Sequence, residues 1–343
     1  MKLHWSHFLP VVAVIALVAA GWAAINYQNT YVPPADTNQL VNPDKLAAQS
    51  VLPDEISIPA LMQRSYTGGD LVLGPVLDTG EGHVRYFITY QSDDLTITGT
   101  LVAPTGEGPF PVVVINHGLV DSSSYQTGSL FKKEQVYLAK RGYVSLVPDY
   151  RNLGGSDTDT DVDLNLRYGY VIDVINAIQA VRQANLAFID TDRVGMIGYA
   201  MGGGIALAVA VSQPTLVDAF VLYAPISPDL WVDYQRWMSD IPAAEAIIAR
   251  YGTKDSNPIF WENASPLHFL SQMRAPVLIH HGTADDYVPI EFSEQLVTEL
   301  EAANNVKVIF DKYLDQGHDF AAAADLALER TGDFFDQYIQ SSS

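Results

Sequence analysis

One junction in this sequence constrains its fold more strongly than any other stretch. Residues 193–210 read RVGMIGYAMGGGIALAVA, in which an apolar, β-branched run leads through a tight glycine-containing turn into an alanine-rich segment of helical composition. This is the pattern of a strand that ends in a sharp turn and continues directly as a helix. A strand joined to a helix in this way is typical of a sheet with helices packed on it, so the stretch predicts an α/β protein.

The rest of the chain shows the same alternation of strands and helices. Residues 111–116 (PVVVIN) are apolar until the last one, as in a strand buried on both faces. Residues 83–91 and 95–102 are typical of an antiparallel pair ahead of the alternation. The predicted fold is a mostly parallel central sheet with helices on both faces, and its ligands should bind beyond the carboxyl ends of the strands. The other predicted strands are 143–147, 193–197, 220–223, 276–280 and 306–313, and the predicted helices are 126–141, 163–183, 201–212, 290–303 and 321–339.

The N-terminal segment predicts export from the cytoplasm. Its apolar, uncharged part has a length between that of a signal-peptide core and that of a full membrane span. Residues 1–27 are therefore expected to be an uncleaved membrane anchor or a cleaved signal peptide. Lys2 favours an N-terminus that stays inside, which places the rest of the chain outside the cytoplasm. Residues 28–56, which contain four prolines, are predicted to be a linker, and residues 57–343 the folded domain.

Charge and composition exclude several classes of function. The chain has 19 Lys and Arg against 40 Asp and Glu, a net charge of -21 that repels phosphate backbones and anionic lipid headgroups. Nucleic acid is therefore not an expected partner, and the membrane is expected to be contacted only through the N-terminal segment. The absence of cysteine excludes disulfides, thiolate metal sites and a cysteine nucleophile. No H-E-x-x-H or comparable ligand cluster occurs, so no metal or cofactor is expected. The oligomeric state has no signal in the sequence.

A long interval between the predicted strands at 220–223 and 276–280 interrupts the alternation. We expect about residues 226–270 to form a small helical cap inserted into the domain. The interval contains three of the five tryptophans of the chain. Its rings pack on the main domain, line a substrate pocket, or do both. The aromatic residues in question are Trp231, Tyr234, Trp237, Tyr251, Phe260 and Trp261.

Chemically suggestive residues follow four of the predicted strands. Because the carboxyl ends of parallel strands meet at one edge of a sheet, we expect these residues to lie close together. A sharp strand-to-helix turn, then an acid, then a histidine is the order in which α/β-hydrolases carry their catalytic triad. The four segments are His117-Gly118-Leu119, Gly198 to Gly202, His281 to Pro289, and Gln316 to Phe320.

These motifs resemble those of the prolyl-oligopeptidase family of α/β-hydrolases. The matching stretches are HG at 117–118, GYAMGG at 198–203, SPL…PVLIHHGTADDYVP between 265 and 289, and GHDF at 317–320. The resemblance covers the chain from about residue 57 onward and implies an α/β-hydrolase fold that cleaves ester or peptide bonds. The β-propeller that gates the peptidases of this family has no room ahead of this domain, so we expect small acyl esters rather than oligopeptides as substrates.

The resemblance implies a role for residues at each of the strand ends. Asp285 would orient His318, which would act as general base and then as general acid. Asp286 is the competing acid, and the spacing H-G-x-x-D-x-x-V-P favours Asp285. The backbone N–H groups of Leu119 and Met201 would form the oxyanion hole. The residues that support these motifs are His117, Gly118, Gly198 and Gly202.

The nucleophile position of the turn holds Ala200, which has no oxygen that could attack a carbonyl. Loss of the serine costs on the order of a millionfold in turnover in comparable hydrolases, so the chain as written should be nearly inactive. Residues 122–124 are serines near the oxyanion loop, but their pattern indicates turn and N-cap residues. Natural loss and an engineered serine-to-alanine change both fit the sequence. The alternative function is that of a non-catalytic protein that binds a ligand or partner.

Overall fold

The computed structural model describes residues 54–340. The predicted anchor or signal peptide at 1–27 and all but the end of the predicted linker at 28–56 lie outside the described residues. Within the described part of the chain, no helix is both long and apolar enough to cross a membrane.

A nine-stranded sheet forms the centre of the domain, in the order β1-β2-β3-β5-β4-β6-β7-β8-β9. The first three strands and β5 pair in antiparallel fashion, and all pairs from β5 through β4 to β9 are parallel. The mostly parallel sheet that the alternation predicts is therefore confirmed. The strands are β1 Val72–Gly80, β2 His83–Ser92, β3 Leu95–Pro104, β4 Phe110–Asn116, β5 Val144–Pro148, β6 Ile189–Tyr199, β7 Ala219–Tyr223, β8 Val277–Gly282 and β9 Val308–Tyr313.

Helices cover both faces of this sheet. Strand β4 shows it directly, because Val112 and Val114 belong to one buried core while Val113 and Ile115 belong to the other. Successive side chains of a strand point to opposite faces, so an uninterrupted apolar run needs a core on each side. The helices are α1 Ile58–Gln63, α2 Lys132–Lys140, α3 Tyr168–Ala184, α4 Met201–Ser212, α5 Leu230–Asp233, α6 Ala244–Tyr251, α7 Pro258–Ala264, α8 Ile290–Ala303 and α9 Ala324–Phe335.

Several element boundaries differ from the sequence prediction. Helix α2 begins only after Phe131, which has a φ of 56°, and α3 begins after Arg167, which has a φ of 62°. A residue in the left-handed region cannot continue a right-handed helix, so both predicted helices started too early. The predicted closing helix starts at α9 and changes to a π-helical turn at Asp336–Gln340.

Strand β1 is missing from the sequence prediction. It contains Gly74 and Pro75, residues that argue against a strand when they are judged locally. The strand lies at the edge of the sheet, where the missing N–H of proline costs no ladder hydrogen bond, and its register shifts between Leu73 and Val76. The edge position therefore allows a strand that contains glycine and proline, and only the folded sheet defines that position.

The interval after β7 forms the helical cap. It consists of α5, a π-helical turn at Tyr234–Met238, α6, α7 and a 3-10 turn at Pro266–Gln272. Trp261 is fully buried and packs edge-on against Trp231, with ring centroids 4.7 Å apart. These two rings build the core of the cap.

Candidate active site

The turn between β6 and α4 has the strained geometry of a nucleophile elbow. Ala200 has φ 49° and ψ -112°, a conformation that a residue with a side chain adopts only when its surroundings impose it. Backbone hydrogen bonds to the next strand and the loop after it hold it there: its N–H donates to the Tyr223 carbonyl at 2.9 Å, and its carbonyl accepts from the Ile226 N–H at 3.2 Å. The fold therefore maintains the turn that presents a nucleophile, although the residue presented is an alanine.

Two glycines allow this turn to form. A Cβ at Gly198 would lie 2.4 Å from the Gly202 carbonyl oxygen, and a Cβ at Gly202 would lie 2.1 Å from the carbonyl oxygen of Asn116. Neither position tolerates a side chain, because the obstructing atoms belong to the backbone. The start of α4 thus packs directly against the end of β4, which brings the turn next to the loop that follows β4.

We expect Gly202→Ala to lower the free energy of unfolding by about 3 kcal/mol, because the added methyl group has no space between α4 and β4. Urea denaturation of the variant and the parent protein measures this difference. Gly317→Ala is the matched control, since its Cβ would meet only the Ala284 carbonyl oxygen at 3.9 Å. The control should stay within about 0.5 kcal/mol of the parent. Equal stability of the Gly202 variant and the control would contradict the described packing.

His318 and Asp285 are brought together by the loops that follow β9 and β8. Their Nδ1 and Oδ2 atoms are 2.7 Å apart, and because a carboxylate only accepts, the proton is on Nδ1 and leaves Nε2 free to act as a base. The second carboxylate oxygen of Asp285 accepts from the N–H groups of Tyr287 and Val288 at 3.0 and 2.9 Å. Asp286, the competing acid, is exposed to solvent and is not the partner of His318.

The charge of Asp285 is strongly stabilised. Burial by itself would raise the pKa of Asp285, but hydrogen bonds from His281, His318 and the Val288 N–H outweigh it and hold the pKa well below its ordinary value. The carboxylate is therefore ionised at any pH near neutrality and can stabilise a positive charge on His318.

His281 also contacts Asp285. The sequence by itself assigns no role to His281. Its Nε2 lies 3.0 Å from the Val288 carbonyl oxygen and 3.4 Å from Asp285 Oδ2, and its Nδ1 lies 2.7 Å from Ser293 Oγ. Since the carbonyl only accepts, Nε2 carries the proton and also points it at the carboxylate. The sequence signal that could have identified His281 is the His281-Gly282 pair shortly before Asp285.

The loop after β4 approaches the elbow closely. A Cβ at Gly118 would lie 3.4 Å from the Ala200 Cβ, so the backbone of this loop lies against the side chain at the nucleophile position. His117 holds the loop, with Nδ1 2.7 Å from the Gly118 carbonyl oxygen and its ring stacked on Tyr150 at 4.3 Å. Leu119, the next residue, borders the same cavity as Ala200.

Met201 is the first residue of α4, so its N–H has no acceptor within the helix. The two residues whose N–H groups are predicted to form the oxyanion hole, Leu119 and Met201, line the same cavity as Ala200.

A cavity of about 100 Å³ opens at the elbow and is lined mainly by apolar side chains. Helix α4 contributes Ile205 and Ala208, and the cap contributes Leu230 and Trp237. The cap aromatics therefore divide between the two roles that the sequence left open: Trp237 lines the cavity, whereas Trp261 packs in the core. Tyr287 lines the mouth, and its ring centroid lies 5.0 Å from that of His318.

One acidic residue in this cavity has no counterpart in the sequence prediction. Asp233, at the end of α5, lines the cavity and is only 6% exposed. Burial raises the pKa of Asp233 well above its ordinary value. No local pattern marks this residue, because a carboxylate on a short cap helix is usually a surface group.

The serines at 122–124 form a turn instead of a reactive site. The Ser123 hydroxyl donates to Asp121 Oδ1 at 2.7 Å, and the Ser124 hydroxyl lies 3.3 Å from the Asp121 carbonyl oxygen. All three serines are exposed, and none of them lines the cavity at Ala200. The interpretation of these residues as turn residues agrees with the geometry, but their interpretation as N-cap residues is wrong, because the next helix begins at Lys132 after Phe131.

Similarity to known proteins places this site in a family. A family model described as the prolyl oligopeptidase family matches residues 129–342, which is more than half of the chain. The chain is 25% identical over 221 residues to the uncharacterized peptidase YtmA of Bacillus subtilis (strain 168), a match that covers 64% of this chain and 80% of that protein.

Two solved structures show the same fold with equal agreement. An acylaminoacyl peptidase of Pyrococcus horikoshii matches with a TM-score of 0.63 at 20% identity, over 78% of this chain and 43% of that one. An acetyl xylan esterase from Paenibacillus sp. R4 matches with a TM-score of 0.63 at 19% identity, over 89% of this chain and 100% of that one. The α/β-hydrolase fold implied by the motifs is therefore confirmed, and the chain belongs to the prolyl oligopeptidase family.

Proposed function

We propose that the protein contains the acyl-transfer site of a serine hydrolase in which Ala200 occupies the position of the nucleophile. The observation that carries this proposal is the strained elbow conformation of Ala200, together with an oriented Asp285–His318 pair at the same carboxyl edge of the parallel sheet. Backbone strain of this kind persists where the surrounding structure imposes it, and it is concentrated at functional sites.

The mechanism of the proposed site follows from its geometry. A hydroxyl oxygen at position 200 would attack the substrate carbonyl while His318 takes its proton and Asp285 stabilises the resulting imidazolium. The N–H groups of Met201 and Leu119 would stabilise the oxyanion. Without that oxygen His318 can only activate water, and a residual acceleration of about 10³- to 10⁴-fold over the uncatalysed reaction is the most that binding and the oxyanion hole supply. The chain as written is thus nearly inactive.

The substrate class that we propose is a small acyl ester. The cavity of about 100 Å³ at the elbow is smaller than an engineered cavity of about 150 Å³ that holds benzene. Its mainly apolar lining suits a short acyl group better than an extended peptide, which needs backbone hydrogen bonds along its length. The solved relatives of equal TM-score are a peptidase and an esterase, so the fold itself does not favour either.

The second candidate is a protein that binds an acyl compound and does not turn it over. The observation that favours it is the same alanine: the elbow and the Asp285–His318 pair are formed, but the residue at the nucleophile position has no attacking atom. The two candidates share the cavity and differ in whether a hydroxyl at position 200 restores chemistry.

Covalent labelling tests the proposal. We expect Ala200→Ser to react with a fluorophosphonate, since Ser Oγ attacks phosphorus and fluoride leaves, and mass spectrometry should show one added phosphonyl group per chain. The parent protein and the double variant Ala200→Ser/His318→Gln should remain unlabelled, because one lacks the oxygen and the other the base. A folded Ala200→Ser protein that stays unlabelled would refute the hydrolase and leave the binding protein.

A further inference from the structure

Asp233 is an incompletely satisfied acid inside the cavity. One of its carboxyl oxygens, Oδ1, accepts a hydrogen bond from the Ser227 N–H at 3.1 Å. Among residues 54–340, no group donates a hydrogen bond to Oδ2, and no lysine, arginine or histidine forms a salt bridge with this carboxyl group. Asp233 lines the cavity, so the oxygen without a protein partner is open to a polar group of a ligand there.

The neighbouring polar groups already have other partners. Arg167 also lines the cavity, but its Nε lies 2.9 Å from Asp163 Oδ1. Lys254 is 2.8 Å from Asp229, and the Tyr168 hydroxyl donates to the carbonyl of Ala264. No neighbouring cation of the described chain therefore pairs with Asp233, which agrees with the raised pKa of this acid.

The carboxyl group lies a short distance from the nucleophile position. The carbonyl oxygen of Ala200 accepts from the N–H of Ile226, and the next N–H along the chain, that of Ser227, donates to Asp233. Standard backbone dimensions then place Asp233 Oδ1 no more than about 10 Å from the Ala200 carbonyl oxygen. Ala200 and Asp233 line the same cavity, so an acyl chain whose carbonyl carbon lies at Ala200 can extend toward Asp233.

We propose that Asp233 selects acyl groups that carry a hydrogen-bond donor, an amine or a hydroxyl, near the end of a short chain. This inference rests on the acyl site proposed above and names its substrate class. An amine would take the proton that the buried acid carries and form an ion pair with the resulting carboxylate, and a hydroxyl would exchange a hydrogen bond with the carboxyl group. A methyl group at the same position would leave the acid unsatisfied, which disfavours the plain acyl chain.

Binding to the protein as written tests the inference, because the parent lacks the oxygen needed to consume an ester. Three esters with equal numbers of heavy atoms serve as probes, and their binding is measured by calorimetry: ethyl butanoate, ethyl 3-hydroxypropanoate and ethyl 3-aminopropanoate. We expect the amino ester, the hydroxy ester or both to bind at least tenfold more tightly than ethyl butanoate. Asp233→Asn should abolish a preference for the amino ester and retain one for the hydroxy ester, since the amide keeps a hydrogen-bonding group but loses the charge.

The matched control is Asp240→Asn, because Asp240 is an exposed acid on the same cap. It should leave the order of the three affinities unchanged. Equal binding of all three esters, or a preference for the amino ester that survives Asp233→Asn, would overturn the role of Asp233 and leave the acyl site intact. Failure of all three esters to bind the folded protein would overturn both proposals.

Discussion

Ala200→Ser is expected to raise the turnover of short-chain nitrophenyl esters by a factor on the order of 10⁵ to 10⁶ over the protein as written. The side chain at position 200 starts from the elbow, so a hydroxyl there needs no rearrangement of the backbone. Asp285 and His318 are already hydrogen bonded at 2.7 Å, which supplies the general base. Initial rates of nitrophenolate release at matched protein concentrations measure the effect.

The control for this prediction is another alanine in the same cavity. Ala208 lies two turns further along α4 and lines the cavity. Ala208→Ser adds a hydroxyl that helical geometry directs to the carbonyl four residues earlier, so it should not turn over the ester. Comparable activity in the parent and the Ala200 variant would mean that the nucleophile lies elsewhere. Aminoacyl nitroanilides assayed in parallel separate an esterase from a peptidase.

In the Ala200→Ser background, His318→Gln should lower turnover by a factor on the order of 10⁶, to the level of the parent protein. Asp285→Asn should cost about 10⁴-fold, because the amide donates to Nδ1 and imposes the wrong tautomer on the imidazole. The larger effect belongs to the residue that transfers the proton, and the smaller one to the residue that orients it.

Asp286→Asn is the matched control for Asp285→Asn, since Asp286 is exposed and is not the partner of His318. It should stay within about twofold of the Ala200→Ser protein, the range of a neutral surface change. An equal loss from both Asn variants would contradict the assignment of Asp285, and a loss only from the Asp286 variant would transfer the role to the other acid. Steady-state kinetics on one ester decide among these results.

Local sequence patterns located most of the α/β framework. The strand β4 and the helices α4 and α8 could be predicted from apolar runs and periodicity, since these elements are long and their neighbours carry clear turn residues. The starts of α2 and α3 could not, because a positive φ at Phe131 or Arg167 depends on contacts with distant parts of the chain. Strand β1 could not be predicted from the sequence either, because its position at the edge of the sheet is defined only by the folded sheet.

The candidate site divides in a similar way. The positions of Ala200, Asp285 and His318 follow strands in the sequence, and motif spacing identifies them because their roles require a fixed place at a strand end. His281 lies in the same motif as Asp285, but its contact with the acid is visible only in the folded loop. Asp233 was identified only through its surroundings, because the cavity that it lines is built from residues far apart in the sequence.

The sequence by itself determined the α/β architecture, the order of the motif residues along the chain and the absence of an oxygen at position 200. Each of these depends on residue type and local periodicity, which the chain carries before it folds. The tertiary structure alone decided that the elbow keeps its strained conformation, that His281 contacts Asp285, and that an acid with an unpartnered oxygen lines the cavity. These features depend on which distant segments pack together and on the burial that results, and packing of that kind exists only in the folded protein.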